Sequence, residues 1–216
     1  MSETFIPSSV LPLFPISGCI LLPGEMLPLN VFEPRYLNML DDVMDGDGAL
    51  GIIQPKPGGR ADAPHLETIG TLGRVISFTE SEDGRYLIVL QGGIRFRIIE
   101  EMFLMTPYRQ ARVDYHDFTH DIAPMALTPE IDRAHFMATL REFFDANRVE
   151  TDWDAVEAAP LTTIADKVAM SAPFRPEDKQ ALLEAPDPAL RVATLLSLME
   201  ESLNTSDACG PEEYKS

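Results

Sequence analysis

Prolines inside apolar runs constrain this chain more than any other feature. Between Leu11 and Tyr36 the sequence reads LPLFPISGCILLPGEMLPLNVFEPRY, two apolar runs each opened by Leu-Pro and separated by the Pro23-Gly24 turn. Proline has no N–H to give to a ladder, so Pro12, Pro15 and Pro28 confine the two strands to edges, bulges or first positions. A flat central sheet is excluded, and a small irregular barrel is the architecture that tolerates such strands. Glu33-Pro34-Arg35-Tyr36 then begins a helix with proline at its first position. Leu37, Leu40 and Met44 follow at helical spacing up to Gly46.

Downstream, Gln54–Leu66, rich in Pro and Gly without periodicity, predicts an exposed loop between two strands. Leu72–Phe78 and Tyr86–Leu90 flank Ser-Glu-Asp-Gly, a hairpin signal, and Gly92-Gly93 permits a further turn or bulge. In the next strand Ile94, Phe96 and Ile98 alternate with Arg95 and Arg97, which predicts one apolar and one charged face. Tyr108–Tyr115 closes the sheet. From Asp117–Thr128 onward the pattern turns helical. Glu130–Ala146 carries Phe136, Met137, Leu140, Phe143 and Phe144 on one face, with Thr128 as N-cap and Pro129 at the first position. Shorter helices follow from Trp153, from Leu161 and from Pro176, and a last one runs from about Pro188 to Leu203. The reading is therefore α+β: a β-barrel domain over 1–120, a helical domain over 121–203, and a mobile polar tail over 204–216.

The ordered blocks LPLFP, a PG turn, LPLNVFEPRY, ALGII, IGTLGRV and LQGGIRFRI resemble the Lon substrate-binding domain. The run Met170–Ala185 and an Arg191-containing last helix resemble the helical part of stand-alone bacterial Lon-domain proteins. The resemblance implies a PUA-like β-barrel followed by a helical bundle, and a role in binding polypeptide. A full Lon protease also needs a Walker loop and a Ser-Lys protease site; no GxxxxGK[ST] and no Gly-Lys pair occur here. The reading is thus a non-enzymatic module without cofactor, bound to unfolded or partner polypeptides and working with a protease or chaperone system.

Composition bears on the rival functions. Thirty-five acidic residues against 17 basic ones give a formal charge of −18, a poor match to a phosphate backbone. PUA-like barrels do occur in RNA-binding proteins, however, and Arg95, Arg97, Arg109 and Arg112 would form a basic strand face. A metal-dependent enzyme is the other rival: in DYHDFTHD, His116 and His120 lie four apart among carboxylates and would share one face of a helix. A solvated linker explains that segment with fewer assumptions. Cys19 in an apolar strand and Cys209 in a polar tail make no disulfide framework, and Cys19 reads as a buried inert thiol. With no signal segment and no run of eighteen apolar residues, a cytoplasmic location is expected.

For the binding surface, Phe32, Arg35, Tyr36 and Met39 are the candidates. Phe32 ends an apolar strand, Tyr36 and Met39 are three apart on the following helix, and Arg35 is placed to meet carbonyls or an acidic residue. The alternative is architectural, with Arg35 paired to a carboxylate and Tyr36 packed.

Overall fold

The computed structural model describes residues 8–60, 63–122 and 130–208. Two compact units separate, Met1–Met125 with Arg175–Leu183, and Ala126–Phe174 with Glu184–Ser216. The first unit holds β1 (Val10–Pro15), β2 (Met26–Val31), α1 (Pro34–Met44), β3 (Ala49–Ile53), β4 (Pro55–Arg60), β5 (Ala63–Leu66), β6 (Ile69–Glu80), β7 (Tyr86–Met102) and β8 (Arg109–Asp114). A 3-10 helix, His116–Asp121, follows, and the unit also contains most of a later helix, Pro176–Glu184, here α5.

Strands β7, β6, β3, β1 and β8 are neighbours in that order, and β8 pairs again with β7, so the sheet closes into a ring. One edge of β7 does two jobs. Its residues Tyr86–Gln91 pair with β2, and Arg97–Met102 pair with β8. The proline rule operates locally inside this ring: β8 pairs with Val10–Leu13 of β1, whereas β3 pairs only with Leu13–Pro15, so Pro12 lies where β1 has a partner on one side alone. Pro28 sits on β2, which ends the strand order and, among the described residues, has only β7 beside it.

The partner change along β7 happens at an extra residue between Gly92 and Arg95. There the Pro23-Gly24 turn docks against the strand, with Gly92 N–H donating to Glu25 O and Gly24 N–H donating to Gly92 O, both at 2.8 Å. A Cβ on Gly92 would lie 2.1 Å from the Leu22 carbonyl oxygen, so only glycine admits this approach. Leu11, Leu13, Leu72 and Phe96 fill the barrel interior, and Leu50 and Ile52 are buried on the opposite face of β3 from Gly51. Space for the Phe96 ring comes from missing side chains, since a Cβ on Gly51 or Gly70 would come within 2.8 Å or 2.7 Å of its Cζ.

Gln54–Leu66 is not the irregular loop its composition predicts. Most of it is the β4–β5 hairpin, with a bulge between Lys56 and Gly59 where Gly58 and Gly59 take φ of 103° and 80°. Both faces of β4 are largely exposed, so no apolar alternation marks it in the sequence. Gln54 itself is buried: its Oε1 accepts from Gly18 N–H at 2.9 Å, and its Nε2 donates to Pro176 O at 2.9 Å and to Gln180 Oε1 at 3.0 Å. Gln180 Nε2 in turn donates to Ile69 O at 3.1 Å.

The second unit contains α2 (Arg133–Ala146), α3 (Trp153–Ala158), α4 (Leu161–Ser171) and α6 (Pro188–Ala208). The start of α2 is Asp132, whose carboxylate caps Ala134 N–H at 2.9 Å, and Glu130–Asp132 lie outside the helix. Thr128 and Pro129, the expected start, lie outside the described residues. Phe136, Leu140, Phe143, Ile164, Val168, Val192, Leu195 and Met199 form the core. Phe143 stacks on Phe174 at 5.3 Å, and Arg191, buried, donates to Asp166 Oδ1 at 2.7 Å. Asn204–Ala208 continue α6, so the expected polar tail is helical as far as it is described, while Cys209 lies outside the described residues. Among the described residues no helix is long and apolar enough to cross a membrane.

Two tyrosines of the first unit tie its stability to alkaline pH. Burial, reinforced by donation to Asp42 Oδ2 at 2.6 Å, pushes the Tyr108 phenol up to about 12. Burial, then the nearby Asp47, also raises Tyr115, whose hydroxyl donates to Ser8 O at 2.7 Å. An unfolded chain ionises these phenols near their ordinary value, about 10, before the folded one does. Their contribution is therefore whole below pH ~10; that of Tyr108 is lost as pH rises through about 12, and that of Tyr115 at still higher pH. Denaturant unfolding from pH 8 to ~12 should show this fall, and Tyr108→Phe should flatten it.

Candidate functional site

Of the four candidate surface residues, the structure leaves two on the surface. Phe32 is 64% exposed, whereas Tyr36 is 7% exposed and Met39 is fully buried. The Tyr36 ring packs on Phe14 at 4.3 Å, because α1 turns the face bearing Tyr36, Met39, Leu40 and Val43 into the core. Arg35 pairs with Glu33, Nη2 to Oε2 at 2.7 Å, and lies 4.8 Å from the Tyr36 ring centroid. The three-residue spacing of Tyr36 and Met39 does put them on one face, but that face is the buried one.

Phe32 continues a different row. Met26, Pro28 and Asn30 are the exposed residues of β2, and Phe32 keeps the two-residue interval just beyond the strand. Across the ladder Pro28 faces Val89 and Asn30 faces Leu87, and on β6 these meet Ser77 and Thr79. Together with Leu29 and Ile88, these residues line an open groove of about 390 Å³ along the free strand β2. Met26 and Leu87 are exposed apolar side chains of the same sheet face. In the sequence Leu87 and Val89 read as ordinary strand residues, and only the pairing of β2 beside them makes their outer face one wall of a groove.

The expected basic face does not exist. Arg95 is 0% exposed, the deepest departure from the sequence reading. Ile94, Arg95 and Phe96 are buried in succession because both sides of β7 are covered there, one by the barrel core and the other by the 3-10 helix and α5. Its Nε and Nη2 donate to the two Asp121 oxygens at 2.9 Å each, and Nη1 donates to Leu183 O at 2.9 Å. The guanidinium also lies 4.9 Å from the Phe118 ring centroid. Arg97 pairs with Asp117 at 3.1 Å, Arg109 Nε donates to Glu101 Oε2 at 2.9 Å, and Arg112 pairs with Glu100. Every arginine of the proposed face is matched by a carboxylate.

His116 and His120 fall on the 3-10 helix, which has three residues per turn, so a four-residue spacing does not align them as an α-helix would. His120 Nε2 lies 3.0 Å from Arg95 Nη2; a guanidinium only donates, so that nitrogen is the acceptor and its lone pair is engaged. Among the described residues no group of three or more His, Cys, Asp or Glu is placed to hold a metal. Cys19 is half-buried, and burial raises its thiol more than nearby Lys179 lowers it, which suppresses the thiolate needed for reactivity.

Residues 10–201 match the family described as the ATP-dependent protease La (LON) substrate-binding domain. The chain belongs to that family. Lon protease 2 of Myxococcus xanthus is 29% identical over 88% of this chain and 23% of its own length, and the Lon protease of Roseiflexus castenholzii is 27% identical over 88% and 24%. The chain thus spans about a quarter of the length of these relatives. A solved Lon N-terminal domain protein from Xanthomonas campestris superposes with a TM-score of 0.60 at 23% identity, covering 87% of this chain and 97% of that one. The N-terminal domain of a Mycobacterium avium complex Lon protease gives 0.63 at 17%, covering 89% and 98%. The fold is that of Lon N-terminal domains, a strand-rich unit followed by helices, as the opening proline-rich blocks implied.

Proposed function

We propose that this Lon substrate-binding domain is a non-enzymatic module that docks apolar segments of unfolded or partner polypeptides in the β2–β7–β6 groove. The observation that carries the reading is the free strand β2 beside an outward apolar row, Met26, Pro28, Leu87 and Val89, with Phe32 at its end. An extended segment laid beside an edge strand gains main-chain bonding, and alternate side chains find the groove. Aromatic and Met side chains suit varied clients because they offer area and adaptable shape. Pro28 removes one donor from the strand, which limits runaway strand addition. The carboxylate partners of Arg97, Arg109 and Arg112 speak against an RNA-binding role, and the charge of −18 points the same way.

Binding of a permanently unfolded, apolar-rich polypeptide, followed by fluorescence anisotropy, tests this. Leu87→Asp and Phe32→Ala should each weaken binding about 5- to 100-fold, the range of a true anchor, with thermal unfolding unchanged for Phe32→Ala. Affinity should hold or rise with salt, whereas phosphate binding would fall steeply. Unchanged affinity in both variants overturns the assignment of the groove.

A further inference from the structure

The connection from β7 to β8 shows the reverse of the groove. Met102, Phe103, Leu104 and Met105 are four consecutive exposed apolar residues, and Phe103 and Met105 are 102% and 104% exposed. A run of this kind is excluded from ordinary surfaces unless it has a use. The base of the tip is held: Thr106 Oγ1 donates to Tyr108 O at 2.9 Å, Gln110 Nε2 donates to Thr106 Oγ1 at 3.3 Å, Arg109 spans to Glu101 and to Pro64 O, and Tyr108 is tied to Asp42.

We infer that the Met102–Met105 tip of one copy docks in the β2–β7–β6 groove of a second copy. The inference rests on the groove assigned above and adds its resident occupant: the chain displays, on a short connection, the apolar chemistry that the groove takes. Groove and tip lie toward opposite ends of β7, with 14 residues from Val89 to Phe103, so each copy presents the two halves of the contact at separate places. Two or three side chains, at about 150–250 Å² for an aromatic, fill a groove of this size yet fall well short of a stable interface of about 1,200 Å². The contact is weak and exchangeable, and an apolar client displaces it. Two bodies of charge −18 repel, so salt strengthens the association.

Sedimentation of the whole chain at sub-millimolar concentration, in low salt and in ~0.5 M salt, provides the test. Wild type should self-associate, more so in high salt. Phe103→Asp, with its groove intact, and Thr79→Glu, with its tip intact, should each be monomeric, and their mixture should form a 1:1 complex. Thr79 is exposed on its strand, so this variant tests the groove without burying a charge in the core. Phe103→Asp should bind the unfolded probe at least as well as wild type. A monomeric wild type at high salt, or a mixture that stays monomeric, overturns the inference while leaving client binding intact. Complex formation by the mixture alongside client binding indifferent to Leu87→Asp would instead keep the self-contact and remove the client reading.

Discussion

Arg95→Ala is expected to cost about 3–5 kcal/mol of folding stability, because the substitution strands a carboxylate that the fold has taken out of water. The Asp121 side chain is 5% exposed, and Arg95 supplies its two guanidinium bonds and a backbone N–H. The same guanidinium holds Leu183 O at the end of α5 and lies against Phe118, so alanine also opens a cavity in a packed region. A loss of that size lowers Tm by roughly 6–20 °C for a chain of this length. Denaturant unfolding should report the same deficit as a lower midpoint. Arg95→Met combined with Asp121→Leu should recover much of it, since a buried ion pair is less valuable than the cost of breaking it suggests. A single variant within ~1 kcal/mol of wild type would mean that the pair is not an anchor.

The strand and helix periods were legible because they follow from local rules. Pro34 opens α1, Asp83-Gly84 turns the β6–β7 hairpin, and Leu11 and Leu13 are buried in the first apolar run. What was not legible depends on what covers the outer face of a strand. Arg95 and Arg97 look alike in the sequence, yet an element from much later in the chain covers the first and leaves the second half-exposed. Tyr36 and Met39 failed as surface candidates for the converse reason, since a shared helix face says nothing about which way the face points. The groove was hidden because Leu87 and Val89 read as ordinary strand residues until β2 is placed beside them. Gln54 and Gln180 carry no motif at all, and only their burial reveals their role.

The return of α5 to the barrel unit leads to the other large effect. The sequence reading ends the first domain near residue 120, and a fragment cut there would keep all eight strands while losing α5. In the structure the unit uses that helix at both ends: Gln54 Nε2 donates to Pro176 O at its start, and Arg95 Nη1 donates to Leu183 O at its finish. Gln180, Leu182 and Leu183 are buried between those points. A fragment ending at Met125 leaves Arg95 and Gln54 with unmet bonds and uncovers the apolar surface beneath the two leucines. Losing the burial of Leu182 and Leu183 costs about 1.5–3 kcal/mol for each side chain, and with the hydrogen bonds to Gln54, Gln180 and Arg95 gone the deficit is a large share of the roughly 5–15 kcal/mol that holds a domain together. The fragment should therefore lack a cooperative unfolding transition and expose dye-binding apolar surface. A chain in which a flexible Gly/Ser linker replaces Ala126–Phe174, keeping Arg175–Leu183, should regain the transition. If the fragment ending at Met125 unfolds cooperatively with wild-type stability, α5 is a passenger on the barrel and the domain ends where its strands do.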